Sequence, residues 1–147
     1  MTTEIRIVNK GSFFNQMEKR LTKIPEANMK RACQRAADVV RNEAVNSIAA
    51  GAKTGATTTR YNPRRTHTAS AAGEPPASDT GFLVNSITAT VGKDGKFIVG
   101  DVKASAPYAA HLEFGTTKMS ARPFFQPALQ KSEEKITRIF KQEGVIK

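Results

Sequence analysis

The chain has 147 residues, enough for one domain that buries roughly two-thirds of the surface its unfolded form exposes. It has one cysteine, Cys33, which excludes an internal disulfide framework and any multi-cysteine zinc site. The net charge of +10 favours an acidic partner, whether nucleic acid, an anionic surface or an acidic protein face.

No apolar run approaches the ~20 residues of a membrane span, and Met1-Thr2-Thr3-Glu4-Ile5-Arg6 carries no apolar signal core. A cytosolic place of synthesis is therefore the default. In chain order, Glu4–Val8 is half-alternating and reads as an edge strand or an ordered arm. Gly11 and Ser12 then offer a stop and an N-cap before Phe13, Phe14, Met17, Leu21 and Ile24 at helical spacings. Pro25 breaks that helix.

A second helix is expected over about Glu26 to Ala50. Met29, Ala32, Cys33, Ala36, Val39, Val40 and Ala44 share one face, and Lys30, Arg31, Gln34, Asp38, Arg41 and Asn42 cover the other. Three alanines and a cysteine thin the apolar face, so a neighbouring element can come close. Cys33 reads as a small core residue. Glu43 falls near the middle of the apolar face, where a salt bridge or an interface contact explains it better than catalysis, since no second carboxylate or histidine is placed to help it.

From Gly51 to Ser78 the character changes. A small polar run is followed by Arg60-Tyr61-Asn62-Pro63-Arg64-Arg65-Thr66-His67, and turn and polyproline residues close the segment. Between Ala44 and Gly73 there are four basic residues, Lys53, Arg60, Arg64 and Arg65, and no acid. A loop of this length without structure of its own is usually functional or disordered. Doubled back, it would reach roughly 45 Å from the body. Asp79 then caps a short helix or turn, and Ile87, Ala89 and Val91 alternate with Thr88 and Thr90. A turn at Lys93–Lys96 returns the chain through Phe97–Val102, which makes a β-hairpin.

The stretch from Tyr108 to Leu129 packs four aromatics, two prolines, His111 and Glu113 into a tight join. As a strand, it would put His111 and Glu113 on one face, but no further metal ligands accompany them. Tyr108 and Phe114 are expected to pack the corner, with Glu113 either capping backbone amides, the preferred reading, or meeting a basic neighbour. The last helix begins near Phe124 or Phe125, which alone makes Pro127 tolerable, and buries Phe125, Ala128, Leu129, Ile136, Ile139 and Phe140. The fold class that follows is α+β: a small antiparallel sheet built on the hairpin and packed against the alanine-rich helix and the C-terminal helix, with 51–78 as a long basic loop.

The sequence makes no positive case for an enzyme. Its acids lie on polar faces or in turns, it has no glycine-rich phosphate loop, and His111-x-Glu113 lacks the cysteine partners of a zinc deaminase. No cofactor is implied. Arg60, Arg64 and Arg65 around Tyr61 suit phosphate contact and one stacked ring, and they suit an acidic protein surface equally.

Two stretches stand together: Gly73-Glu74-Pro75-Pro76-Ala77 running into Asp79-Thr80-Gly81-Phe82-Leu83 and Ser86-Ile87, and Tyr108-Ala109 with Glu113-Phe114-Gly115-Thr116 and Ala121-Arg122-Pro123-Phe124. In this order and spacing the chain resembles the small neck, or tail-completion, proteins of long-tailed bacteriophages. The resemblance implies a structural virion protein, made in the host cytoplasm and placed at the junction of head and tail. It further implies a ring of six copies, or twelve, around the DNA channel, touching head-completion or connector proteins on one side and tail-terminator or tail-tube proteins on the other. Arg60, Tyr61, Arg64 and Arg65 would meet a neighbouring ring or the passing DNA. Tyr108, Glu113, Phe114 and Gly115 would form the corner or a subunit contact, and Arg122, Phe124 and Phe125 would seat the last helix. The rivals are a free nucleic-acid-binding protein, argued from charge, and a lytic enzyme working through Glu43 or Glu113.

Overall fold

A computed structural model describes residues 3–7 and 24–147. The helix expected to begin at Phe13 lies outside them, apart from Ile24. The described elements are β1 (Thr3–Ile7), α1 (Glu26–Ala50), β2 (Thr57–Tyr61), β3 (Arg64–Thr68), α2 (Phe82–Asn85), β4 (Ile87–Asp94), β5 (Phe97–Ala104), α3 (Ala109–Phe114) and α4 (Phe125–Gln142). The fold is α+β, with one antiparallel sheet in the order β1-β5-β4 and a separate two-stranded sheet, β2-β3.

The sheet grows from the expected hairpin. β4 and β5 pair from Ile87↔Ala104 to Asp94↔Phe97, and β1 joins the other edge of β5 with Thr3 opposite Ala104. Ile87, Ala89 and Val91 turn toward α1 while Thr88 and Thr90 stay exposed, the period-2 pattern of a strand with one covered face. The thin face of α1 has a counterpart in β5. A Cβ at Gly100 would lie 3.0 Å from the Cys33 carbonyl and 3.4 Å from the Ala37 methyl, so helix and strand touch almost backbone to backbone. Cys33 sits at this contact with its Sγ 3.8 Å from the Ile98 carbonyl, and burial pushes its thiol pKa up, away from reactivity.

α4 lies antiparallel against α1 over most of its length. At one end Val40, Ala44 and Ile48 meet Phe125 and Ala128 in the main core, which also holds Leu83, Val102 and Phe124. At the other, Ala32, Ile139 and Val145 form a smaller cluster with Ile24 and Phe140. Ion pairs follow the seam. The Glu143 carboxylate takes Arg35 at 2.7 Å and Arg31 at 3.3 Å, and the Arg35 hydrogen bond leads in holding it below the usual carboxylate range. Glu43 faces Lys131 and Lys135, both at 3.9 Å, which gives it the loose salt bridge read from its position.

Two local expectations need correction. Asp79 does not cap α2. The N-cap is Gly81, in the left-handed region at φ 77°, and the Thr80 hydroxyl accepts weakly from the Phe82 amide at 3.4 Å. The segment 51–78 is not a structureless loop. Its middle is the β2–β3 hairpin, whose threonines favour extended backbone and whose Asn62-Pro63 turn is cis.

Candidate partner-binding surface: a basic hairpin and its anchoring corner

The corner is helical, not extended. α3 ends at Gly115, whose φ of 75° and whose contacts, 2.9 Å from a notional Cβ to both the Met119 carbonyl and the Ala121 amide, leave room for glycine alone. On a helix, residues two apart point to nearly opposite sides. His111 is accordingly exposed while Glu113 is buried, and the two do not share a face.

The Glu113 carboxylate reaches the start of α4. Oε2 accepts from the amides of Phe124 at 2.9 Å and Phe125 at 3.0 Å, and Oε1 accepts from Gln126 at 2.9 Å. Those are the first three amides of the helix, which have no partner within it, and the fourth position is Pro127, which has no N–H to satisfy. One buried carboxylate and one proline therefore complete the helix terminus. The negative charge also lies at the positive end of the helix dipole.

Phe124 and Phe125 are fully buried, with ring centroids 4.6 Å apart. Arg122 acts elsewhere than in seating α4. Its Nε and Nη2 both donate to the Ser70 carbonyl at 3.2 Å, joining the corner to the chain that returns from the hairpin. Tyr108 and Phe114 do not pack the corner. They are 41% and 75% exposed, because the inward side of α3 is taken by Ala109 and Glu113. Tyr108 instead tilts against Phe82, itself 55% exposed, with centroids 6.2 Å apart.

These rings line a groove of about 360 Å³ beside the foot of the hairpin, together with His67, Asp79 and Arg122. The foot is tightly built. A Cβ on Gly55 would stand 2.8 Å from the carbonyls of Ala69 and Ser70, so the two strands of the stem close on a glycine. Glu74 accepts from the Thr54 hydroxyl, from the Thr54 amide at 3.0 Å and from the Ala71 amide at 2.8 Å. The Thr54 hydrogen bond is the main cause that holds its carboxyl below the ordinary range. In the sequence Glu74 stands only as part of a turn motif, and the one signal of its role is an acid between Gly73 and Pro75, in a turn whose amides need acceptors.

A carboxylate whose folded pKa is lowered contributes stability in full above the ordinary carboxylate range and loses it as the pH falls through the lowered value. Hydrogen exchange at Thr54 and Ala71 should therefore quicken, relative to core amides, as acid protonates Glu74. In Glu74→Gln these amides should exchange faster already at neutral pH, without that acid dependence. Equal protection in both proteins at pH 7 would show that Glu74 does not hold the foot.

Beyond the foot, Arg60, Tyr61, Arg64 and Arg65 are all exposed, with Tyr61 at 81%. Register divides them. Arg60 lies opposite Arg65 and Thr58 opposite His67 on one face, while Tyr61 lies opposite Arg64 on the other with Thr57, Thr59, Thr66 and Thr68. The Thr57 and Thr68 hydroxyls meet at 3.0 Å on that second face. Arg60 reaches Asp79 at 3.6 Å, an exposed pair of little strength.

Among the described residues no group of three or more histidines, cysteines or acids is placed to hold a metal, and no helix is long and apolar enough to cross a membrane. Residues 12–115 match the model of the HK97-gp10-like family, described as "Bacteriophage HK97-gp10, putative tail-component". The chain belongs to this family. The matched span takes in α1, the basic hairpin, the β4 and β5 strands of the main sheet and α3, ending at Gly115. Neither the curated proteins nor the solved structures gave a match. Membership makes the protein a bacteriophage tail component, a class of structural proteins, and associates it with other phage structural proteins.

Proposed function

We propose that the protein is a neck or tail-completion subunit that joins head to tail, without catalysis, in a ring around the DNA channel. Six copies is the preferred stoichiometry and twelve the alternative. Its neighbours would be head-completion or connector proteins on one side and tail-terminator or tail-tube proteins on the other. The observation that carries this reading is the hairpin: a basic arm that buries almost nothing of its own body yet is fastened at its foot by Glu74, Gly55 and Arg122. Such an arm suits contact beyond the subunit. The exposed rings of Phe82, Tyr108 and Phe114 provide a second, different surface, and a closed ring needs two unlike surfaces that match each other.

Deletion of the gene from its phage tests the position. Filled heads and free tails should accumulate unjoined, and wild-type protein supplied in trans should restore joined particles with added density at the junction. Joined, infectious particles from the deletion would overturn the proposal. Within the complemented phage, Arg60→Ala/Arg64→Ala/Arg65→Ala should cut infectious yield about ten-fold or more by the reading that the arm makes an essential contact. Normal assembly and injection would remove the arm from the function.

A further inference from the structure

The hairpin combines three features that bear on its partner. From residue 57 to 68 it carries guanidinium, hydroxyl and imidazole groups and no acid. Arg60 and Arg65 stand directly opposite each other, a like-charge pair that disfavours the isolated hairpin and is relieved by an anion between or beside them. Cationic and hydroxyl donors occur on both faces, with Arg60 and Arg65 on one and Arg64, Tyr61 and four threonines on the other. An acidic protein surface is met by one face of a ribbon. A groove with anionic walls on both sides meets two.

We propose that the β2–β3 hairpin enters the major groove of duplex DNA, with Arg60 and Arg65 toward one phosphate wall and Arg64, Tyr61 and the threonine hydroxyls toward the other. The dimensions agree. The major groove is about 12 Å wide and about 8.5 Å deep and admits a two-stranded ribbon, and five extended residues reach roughly 16 Å. The contacts are to phosphates, so binding is independent of sequence. The Arg60–Asp79 pair, exposed and long at 3.6 Å, yields readily to a phosphate. This inference deepens the reading of the arm as a contact element by naming duplex DNA as its partner.

The test is binding of the full chain to two unrelated duplexes of about 20 base pairs across a salt series. Circular dichroism confirms that the variants, all changed at exposed positions, stay folded. Three phosphate contacts should make the wild-type slope of log affinity on log salt steeper by about 2.7 than that of Arg60→Ala/Arg64→Ala/Arg65→Ala. Between 50 and 200 mM salt, that difference amounts to an extra loss of roughly forty-fold. Arg64→Ala should remove about a third of the difference and Arg60→Ala/Arg65→Ala about two-thirds. Guanine N7, which faces the major groove, should become protected from methylation at saturating protein. A wild-type slope retained in Arg64→Ala means one-faced contact and overturns the proposal, as does unprotected N7. Displacement of the DNA by an equal concentration of polyglutamate identifies an acidic protein surface instead. Failure here leaves the deletion experiment unaffected, because that experiment reads position and not DNA contact.

Discussion

Phe124→Ala is expected to destabilise the protein by about 3–5 kcal/mol, the range for truncating a buried aromatic ring. Phe124 is fully buried, packs at 4.6 Å against Phe125, and belongs to the core shared by α1, the sheet and α4. The cavity would open where the rigid Glu113 cap holds the backbone, so collapse onto the space is hindered and the loss should sit toward the upper end. For a chain of this size the melting temperature should fall by roughly 6–20 °C. Phe124→Leu fills most of the volume and should lose about 1–1.5 kcal/mol. Denaturant titration checks both: the midpoint should move while the slope stays constant. A loss below about 1 kcal/mol in Phe124→Ala would show that the ring is not a core element.

How much of this was legible in the sequence depends on which physical signal each element carries. α1 announces itself by seven small or apolar residues on one face, and the β4–β5 hairpin by alternation in β4, a turn within Lys93–Lys96 and an apolar return strand; both stand where the pattern puts them. The partner of the thin helix face was legible as the sheet, but only the contact at Gly100 shows that β5 makes the close approach. Hydrophobic periodicity is silent in β2 and β3 because neither face of that hairpin meets a core. Threonine propensity and the Asn62-Pro63 turn were the remaining clues, and they outline an arm without fixing its register. Register is what separates Arg60 and Arg65 from Arg64 and Tyr61, and it sets them on opposite faces of one arm.

The corner misled for a different reason. Aromatic residues are read as core by default, yet the six-residue helix α3 gives its inward positions to Ala109 and Glu113 and turns Phe114 outward. A long-range hydrogen bond leaves no periodic trace, and so the link from Arg122 to Ser70, 52 positions earlier, was invisible. Together with Glu74 it makes the foot of the arm and the corner one rigid base. The arm is therefore presented from a fixed point, which a structureless 28-residue loop could not do.

Glu113 is the residue on which that base turns, and its variants distinguish a cap from an ion pair. Glu113→Ala leaves the amides of Phe124, Phe125 and Gln126 without their acceptor, each worth about 1–3 kcal/mol when buried and unsatisfied. Fraying of the first turn of α4 would let some of them reach water, so a net loss of about 3 kcal/mol is expected. Glu113→Gln keeps the shape but only one acceptor oxygen. Turned one way, the amide serves Phe124 and Phe125 and sets its NH₂ against the Gln126 amide; turned the other, it loses two bonds to keep one. The charge at the helix terminus is lost in either case, and the expected cost is about 1.5–2 kcal/mol. A surface ion pair would behave otherwise: Ala and Gln would cost nearly the same, and both differences would shrink in molar salt. For a buried cap the order Ala above Gln should persist at 1 M salt. Exchange in Glu113→Ala should quicken first at Phe125 and Gln126. It should then reach Gly73, whose amide donates to the Ala121 carbonyl at 3.0 Å, because the same corner that starts α4 also steadies the return from the arm.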